Sequence, residues 1–168
     1  MSETSWKFFV LAKDKRPLAN CNRCQIPHDP DVCQCLYCHG FYAATDDDAR
    51  LKTMAAMNPD NPWAVRTGKA SGIIVIDVDG EEGLETLDEW ESWTGFSLVE
   101  ASTIAQTPSG GVHLYYRYPI GVDRIPSRSR VLPGIDIKAD DAYVVIPTKN
   151  DSRRFWKKSD GLTDTGPQ

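Results

Sequence analysis

Apolar residues along the chain come in short runs, not long stretches, and their periods separate strands from helices. Trp6-Lys7-Phe8-Phe9-Val10-Leu11 is a brief apolar run that predicts a strand or a helix end. Thr45 followed by Asp46-Asp47-Asp48, with Ala49 to Met57 behind them and Asn58-Pro59 as a stop, predicts a helix capped by Thr45. The three aspartates suit the positive end of that helix, so their clustering is explained without a metal. Ala64 to Thr67 predicts a short strand, and the β-branched run Ile73-Ile74-Val75-Ile76 a buried central one. Leu84, Leu87, Trp90 and Trp93 recur at helical spacing and predict an amphipathic helix over 81–94 with its aromatic stripe in the core. Val112 to Tyr118 alternates as a strand, and Gly134 to Lys138 and Tyr143 to Pro147 predict two more with a short connection. The predicted fold class is α+β: a mixed, mostly antiparallel sheet flanked by helices. Residues 1–168 read as a single domain, with 159–168 as a tail or linker.

Cysteine spacing adds a finger near the N-terminus. All five cysteines lie within residues 21–38, in two CxxC pairs, Cys21/Cys24 and Cys35/Cys38, with Cys33 between them. Disulfide frameworks spread along secreted chains, whereas two such pairs ten residues apart suit two knuckles closing on one tetrahedral, structural Zn²⁺. Cys21, Cys24, Cys35 and Cys38 are the simplest ligand set. Cys21, Cys24, His28 and Cys33 form a knuckle-like rival, and His39 offers a substitute for a cysteine. The finger subdomain spans 20–40.

Composition narrows the function classes. The 168 residues carry 24 acidic and 19 basic side chains, a net charge of −5, and 40% are hydrophobic. That acidity argues against coating nucleic acid by bulk charge but leaves room for a local basic groove. No apolar run reaches the roughly 18 residues that span a bilayer, so no membrane partner is expected. The first residues lack a secretory pattern, and a cytoplasmic location is the expectation. Residues 121–158 run against the trend, with nine cations and five anions. Phe155 and Trp156 interleave with the last of these cations, either as a stacking platform for single strands or as the inward face of a solvated helix.

Candidate chemistry gathers at strand ends. Asp77 and Asp79, two apart, project from one face about 7 Å apart along the backbone. Carboxylates ending an apolar strand are costly unless a cation joins them, and hard oxygen donors suit Mg²⁺ or Mn²⁺. Asp79 alternatively caps the following helix. Asp136 interrupts the apolar Ile135-Asp136-Ile137, and as a third carboxylate from a neighbouring strand it would complete a two-metal site. His113 follows Ser109-Gly110-Gly111, where glycines would let a phosphate approach the backbone and the imidazole would donate to it. Arg66, Lys69 and Lys138 add cations beside these segments.

Ser71 to Asp79, Thr107 to His113, and Gly134 to Lys138 with Tyr143 to Pro147 resemble, in order and spacing, the three motifs of the bifunctional DNA primase/polymerase (prim-pol) domain. That domain belongs to the archaeo-eukaryotic primase superfamily and is common in phages, prophages and plasmids. The segment through Cys38 to Thr45 is similar to the finger of actinobacterial and actinophage members. The resemblance implies an RRM-like palm. Asp77, Asp79 and Asp136 would bind the catalytic metals, and His113, with Ser109 in the same loop, would contact the triphosphate. Arg66, Lys69 and Lys138 are added as nucleotide contacts from their charge and placement. The implied activity is template-dependent nucleotidyl transfer that makes primers de novo and extends them. Its partners would be a single-stranded DNA template, nucleoside triphosphates (dNTP or NTP) and a replicative helicase, in a bacterial cell or phage-infected host. The rival readings are a metal-dependent nuclease using the same acids and a non-catalytic zinc-finger DNA-binding module.

Overall fold

Antiparallel pairing of short β-rich runs builds two sheets, seen in a computed structural model that describes residues 5–97, 103–148 and the backbone of 155–157. The strands are β1 (Phe8–Val10), β2 (Trp63–Arg66), β3 (Ile73–Val78), β4 (Thr103–Gln106), β5 (Val112–Arg117), β6 (Arg128–Leu132), β7 (Ile135–Lys138), β8 (Tyr143–Val145) and β9 (Phe155–Lys157). The helices are α1 (Asp48–Met57) and α2 (Gly80–Thr94), and three short 3-10 turns lie between β1 and α1. One sheet has the order β1-β2-β8 and the other β6-β7-β3-β5-β4-β9. Every strand pair is antiparallel. The fold is thus α+β, with the cysteine segment inserted between β1 and α1.

Period-two alternation decides which face of each strand meets which layer. The inner face of the large sheet presents Ile73, Val75, Ala105 and Tyr115 to Phe8, Val65, Val144 and Ile146 of the small sheet and its margin. Trp6 stacks on Tyr115 with ring centres 5.3 Å apart, locking the two sheets together. The outer face of the large sheet, with Val78, Ile104, Leu114 and Ile135, packs on Leu87 of α2. Full burial of each such side chain contributes about 1.5–3 kcal/mol. The outer face of the small sheet holds Phe9, Leu11 and Ala64 under Phe41, Ala44, Tyr143 and Val145. That contact fastens the exit of the cysteine segment to β8.

Glycine contacts seat α2 at the end of β3. A Cβ on Gly83 would lie 2.5 Å from the Gly134 carbonyl oxygen, and Gly134 itself has φ +64°. Only side-chain-free residues allow α2 to rest on the β6–β7 turn in this way. The Asp79 N–H then donates to Gly134 O at 2.8 Å, which fixes Asp79 beside β7.

Several details differ from the sequence expectation. The cap of α1 is Asp47, whose Oδ1 accepts from the Arg50 N–H at 2.8 Å; Thr45 Oγ1 instead accepts from Asp47 N–H, one turn earlier. The α2 stripe is core only in part: Leu87 is buried, while Trp93 is 85% exposed and Leu84 39%. The strands predicted at Gly134 to Lys138 and Tyr143 to Pro147 both form, but in two sheets instead of one, because the chain crosses between sheets after Lys138. Phe155–Lys157 is a strand paired with β4, not a helix. Among the described residues no helix is long and apolar enough to cross a membrane. The tail at 159–168 lies outside the described residues.

Candidate active site and metal centre

The inner face of β3 runs Ile73, Val75, Asp77 and, just beyond the strand, Asp79. Its apolar half is clamped between the sheets and its acidic half emerges where they part. Strand register brings three of the predicted site residues into one row. Asp77 pairs with Asp136 on β7 and with His113 on β5, so all three share a face on adjacent strands. His113 Nε2 lies 3.2 Å from Asp77 Oδ1. As the carboxylate only accepts, Nε2 carries the proton. The other ring nitrogen, Nδ1, is buried without a hydrogen-bond partner among the described residues.

Asp136 is already engaged on both oxygens. Lys138 Nζ donates to Oδ2 at 2.7 Å, and the Arg130 N–H to Oδ1 at 2.7 Å. Burial raises its carboxyl, but these hydrogen bonds outweigh it and hold Asp136 below the ordinary range. Asp79 moves the other way. Desolvation in the cleft, then the charges of Asp77 and Asp136, raise its carboxyl above the ordinary range. Asp79 occupies the N-cap position of α2 yet makes no side-chain cap hydrogen bond, so the capping alternative accounts for its backbone and not for its carboxylate.

A cleft of about 740 Å³ opens beside this row. One side is Asp77, Asp79, His113, Lys138 and the β4–β5 loop from Thr107 to Ser109; the other is the edge strand β8 with Phe41 and Lys15. Ser109 Oγ lies 3.0 Å from Thr107 Oγ1 at the mouth of this loop. Gly110 (φ +87°) has nothing within 4 Å of where a Cβ would stand, so the backbone there is open to a ligand. Gly111 is different: a Cβ would sit 2.0 Å from Val78 O. Its role is to let the loop pack on the β3–α2 turn rather than to admit a phosphate.

Two predicted cations lie elsewhere. Arg66 stacks its guanidinium on Tyr42 and Phe41, 4.6 and 5.2 Å from the ring centres. Lys69, at the opposite end of β3 from the acids, lines a separate hollow with Gly72 and Tyr118. Conversely, Lys15, Phe41, Thr107 and Tyr143 line the cleft although the sequence named none of them as a site residue, even with Thr107 and Tyr143 opening two of the motifs. The aromatic pair Phe41-Tyr42 after the last CxxC was a visible signal; Lys15, in a polar turn, offered none.

The carboxylates fit a hard divalent cation by donor chemistry, and the desolvation and then the neighbouring negative charges that lift Asp79 are what a cation would offset. Their oxygens do not form a tight set: among the described residues, only cysteine and histidine groups bring their ligand atoms all within 4.8 Å of one another. Cys21, Cys24, Cys35 and Cys38 are one such group and can hold a tetrahedral zinc. The Sγ atoms of Cys21 and Cys24, and of Cys21 and Cys35, are 3.7 Å apart, and the Cys21 N–H donates to Cys38 Sγ at 3.2 Å. Of the alternates, His28, Cys33 and His39 gather with Cys24, not with the Cys21/Cys24 pair of the knuckle-like rival.

Comparison with known proteins matches residues 1–161 to the family described as bifunctional DNA primase/polymerase, N-terminal. No curated protein matches the chain.

Proposed function

The chain belongs to the bifunctional DNA primase/polymerase family, and from that premise we propose that it synthesises primers de novo on single-stranded DNA and extends them, using the cleft beside Asp77. DNA template and nucleotide substrates come with the family. The observation that supports this site is the row Asp136–Asp77–His113 on three paired strands, with Asp79 at its end. Asp77, Asp79 and Asp136 would hold Mg²⁺ or Mn²⁺, which would activate the attacking 3′-hydroxyl and balance charge on the departing pyrophosphate.

The chain's own groups supply positioning. His113, held by its hydrogen bond to Asp77, stands on the cleft floor beside the Thr107–Ser109 loop. The two hydroxyls there are donors of the kind that hold β- and γ-phosphates, and the absence of a side chain at Gly110 leaves room beside them. Lys138 has two states open to it: paired with Asp136, or released to a phosphate oxygen when a cation takes the carboxylate. Arg66 supports this reading indirectly, by fixing the Phe41-Tyr42 wall through its stacking. The exposed edge strand β6, carrying Arg128 and Arg130 next to Asp136, is a fitting track for template phosphates. In this reading residues 1–168 act as one catalytic domain and 20–40 as its finger.

The test is to incubate the chain with single-stranded template, Mg²⁺ or Mn²⁺ and labelled nucleotides without primer. New oligonucleotide is the expected product; shortened template would mean a nuclease, and shifted but unchanged DNA a binding module. Replacing Asp77 and Asp79 by Ala should lower synthesis at least 10³-fold, an estimate of about 4 kcal/mol in transition-state stabilisation. The circular dichroism spectrum and bound zinc should stay as in the unaltered chain. Synthesis by that variant at the original rate would remove the metal assignment.

A further inference from the structure

The cysteine segment holds more donors than one tetrahedral ion can use. Cys21, Cys24, Cys35 and Cys38 form one group and Cys24, His28, Cys33 and His39 a second, with all ligand atoms within 4.8 Å inside each. Cys24 belongs to both and is buried between them. Its Sγ lies 3.7 Å from that of Cys21, 3.5 Å from Cys35 and 3.6 Å from Cys33. Zinc–sulfur bonds of about 2.3 Å in a tetrahedron put sulfurs about 3.8 Å apart. The spacing around Cys24 thus suits metal-bound edges in both directions.

The histidines give an independent indication. His28 Nδ1 lies 2.8 Å from the Ile26 carbonyl oxygen, which only accepts, so Nδ1 carries the proton and Nε2 of the neutral ring presents a lone pair. Ligating histidines are held this way, with the second ring nitrogen donating to a carbonyl or carboxylate. Nε2 of His28 faces Nε2 of His39 at 3.0 Å, with the rings at 85°. Two imidazole nitrogens converging beside Cys33 and Cys24 describe the donor set of a Cys₂His₂ zinc site.

We propose that the finger binds two zinc ions, one held by Cys21, Cys24, Cys35 and Cys38 and the other by Cys24, His28, Cys33 and His39, with the Cys24 thiolate bridging them. Two tetrahedra that share a vertex need seven donors. The finger supplies seven, all five cysteines of the chain and two of its three histidines. Binding displaces five thiol protons, and five thiolates against two divalent ions leave the cluster with one negative charge. The second ion also ties down His39, the residue immediately before the Gly40–Ala43 turn that carries Phe41 to the cleft.

Elemental analysis of the full chain, purified under reducing conditions with zinc, should find two ions per chain; one ion would overturn the proposal. After exchange to ¹¹³Cd, the NMR spectrum should show two resonances split by metal–metal coupling through the shared sulfur. A single resonance, or two without splitting, would overturn the bridge. The His28→Ala/Cys33→Ser double variant should lose one of the two ions and keep the other in all-sulfur coordination; retention of both would count against the second site. The measurements on the unaltered chain stand whether or not that variant folds.

Discussion

Asp140 lies outside the acid row, yet it organises more of the chain than any residue in it. Its Oδ2 accepts from Tyr118 Oη at 2.6 Å and from the Ile125 N–H at 2.8 Å, and its Oδ1 from the Lys69 N–H at 2.8 Å. Burial raises its carboxyl, but these three donors prevail and hold it below the ordinary value. A depressed folded pKa adds stability above the unfolded-chain value of about 3.9, and that stability is lost as pH falls through the folded one. Asp140→Asn should therefore cost about 2 kcal/mol at pH 7, with the gap to the unaltered protein shrinking in acid. Urea unfolding at pH 7 and pH 3 measures it; an equal penalty at both would show that the charge is irrelevant. In the sequence Asp140 read only as one more anion, because its partners lie far away along the chain. Asp77 and Asp136 were readable for the opposite reason: a carboxylate inside or ending an apolar run is conspicuous without knowing its neighbours.

Elements were readable where burial imposed a pattern. β3 and β5 are buried on both faces or alternate cleanly, and both predicted runs became strands. β6 was invisible because all five of its residues are exposed, so its sequence, Arg-Ser-Arg-Val-Leu, carries no alternation. β4 is only four residues long and owes its identity to pairing with β5. The helix at α2 was foreseen, but not that its C-terminal aromatic would face solvent, since periodicity reports a stripe and not what covers it. The loop between β4 and β5 shows how an element depends on one atom. Gly111→Ala places a methyl 2.0 Å from Val78 O and should destabilise the fold by about 3 kcal/mol, lowering the Tm by several degrees. Gly110→Ala meets no atom and should cost only the strain of its positive φ, about 1 kcal/mol. Thermal melts of the two variants distinguish them, and equal losses would contradict the packing role of Gly111.

The whole molecule distributes charge in a way that the linear order conceals. Residues 121–158 look like one basic tract, but β6 and β9 form opposite edges of the six-stranded sheet. Arg124 is paired with Asp141 at 2.8 Å and Lys138 with Asp136 at 2.7 Å, while Lys149, Arg153, Arg154 and Lys158 lie outside the described residues. Arg128 and Arg130, next to the acid row, are therefore the cations to test against template. Replacing each by Ala should weaken single-stranded DNA binding and reduce the slope of log affinity against log salt by about 0.7 per arginine. Fluorescence anisotropy between low and moderate salt reads that slope, and an unchanged slope would move the template elsewhere.

The crossing from β7 to β8 also has a consequence in time. β8 is the last strand of the small sheet to be made, and Val144 pairs with Val65 across almost half the chain. Synthesis runs from the N-terminus, so β1 and β2 emerge without their third strand, and the acid row is made before the β8 strand that faces it across the cleft. Closing such distant pairs is the slow part of folding. Completion of the cleft thus comes late in the synthesis of these residues, and a nascent chain stalled before Tyr143 would face its acids with Phe41 and Lys15 but without the β8 strand.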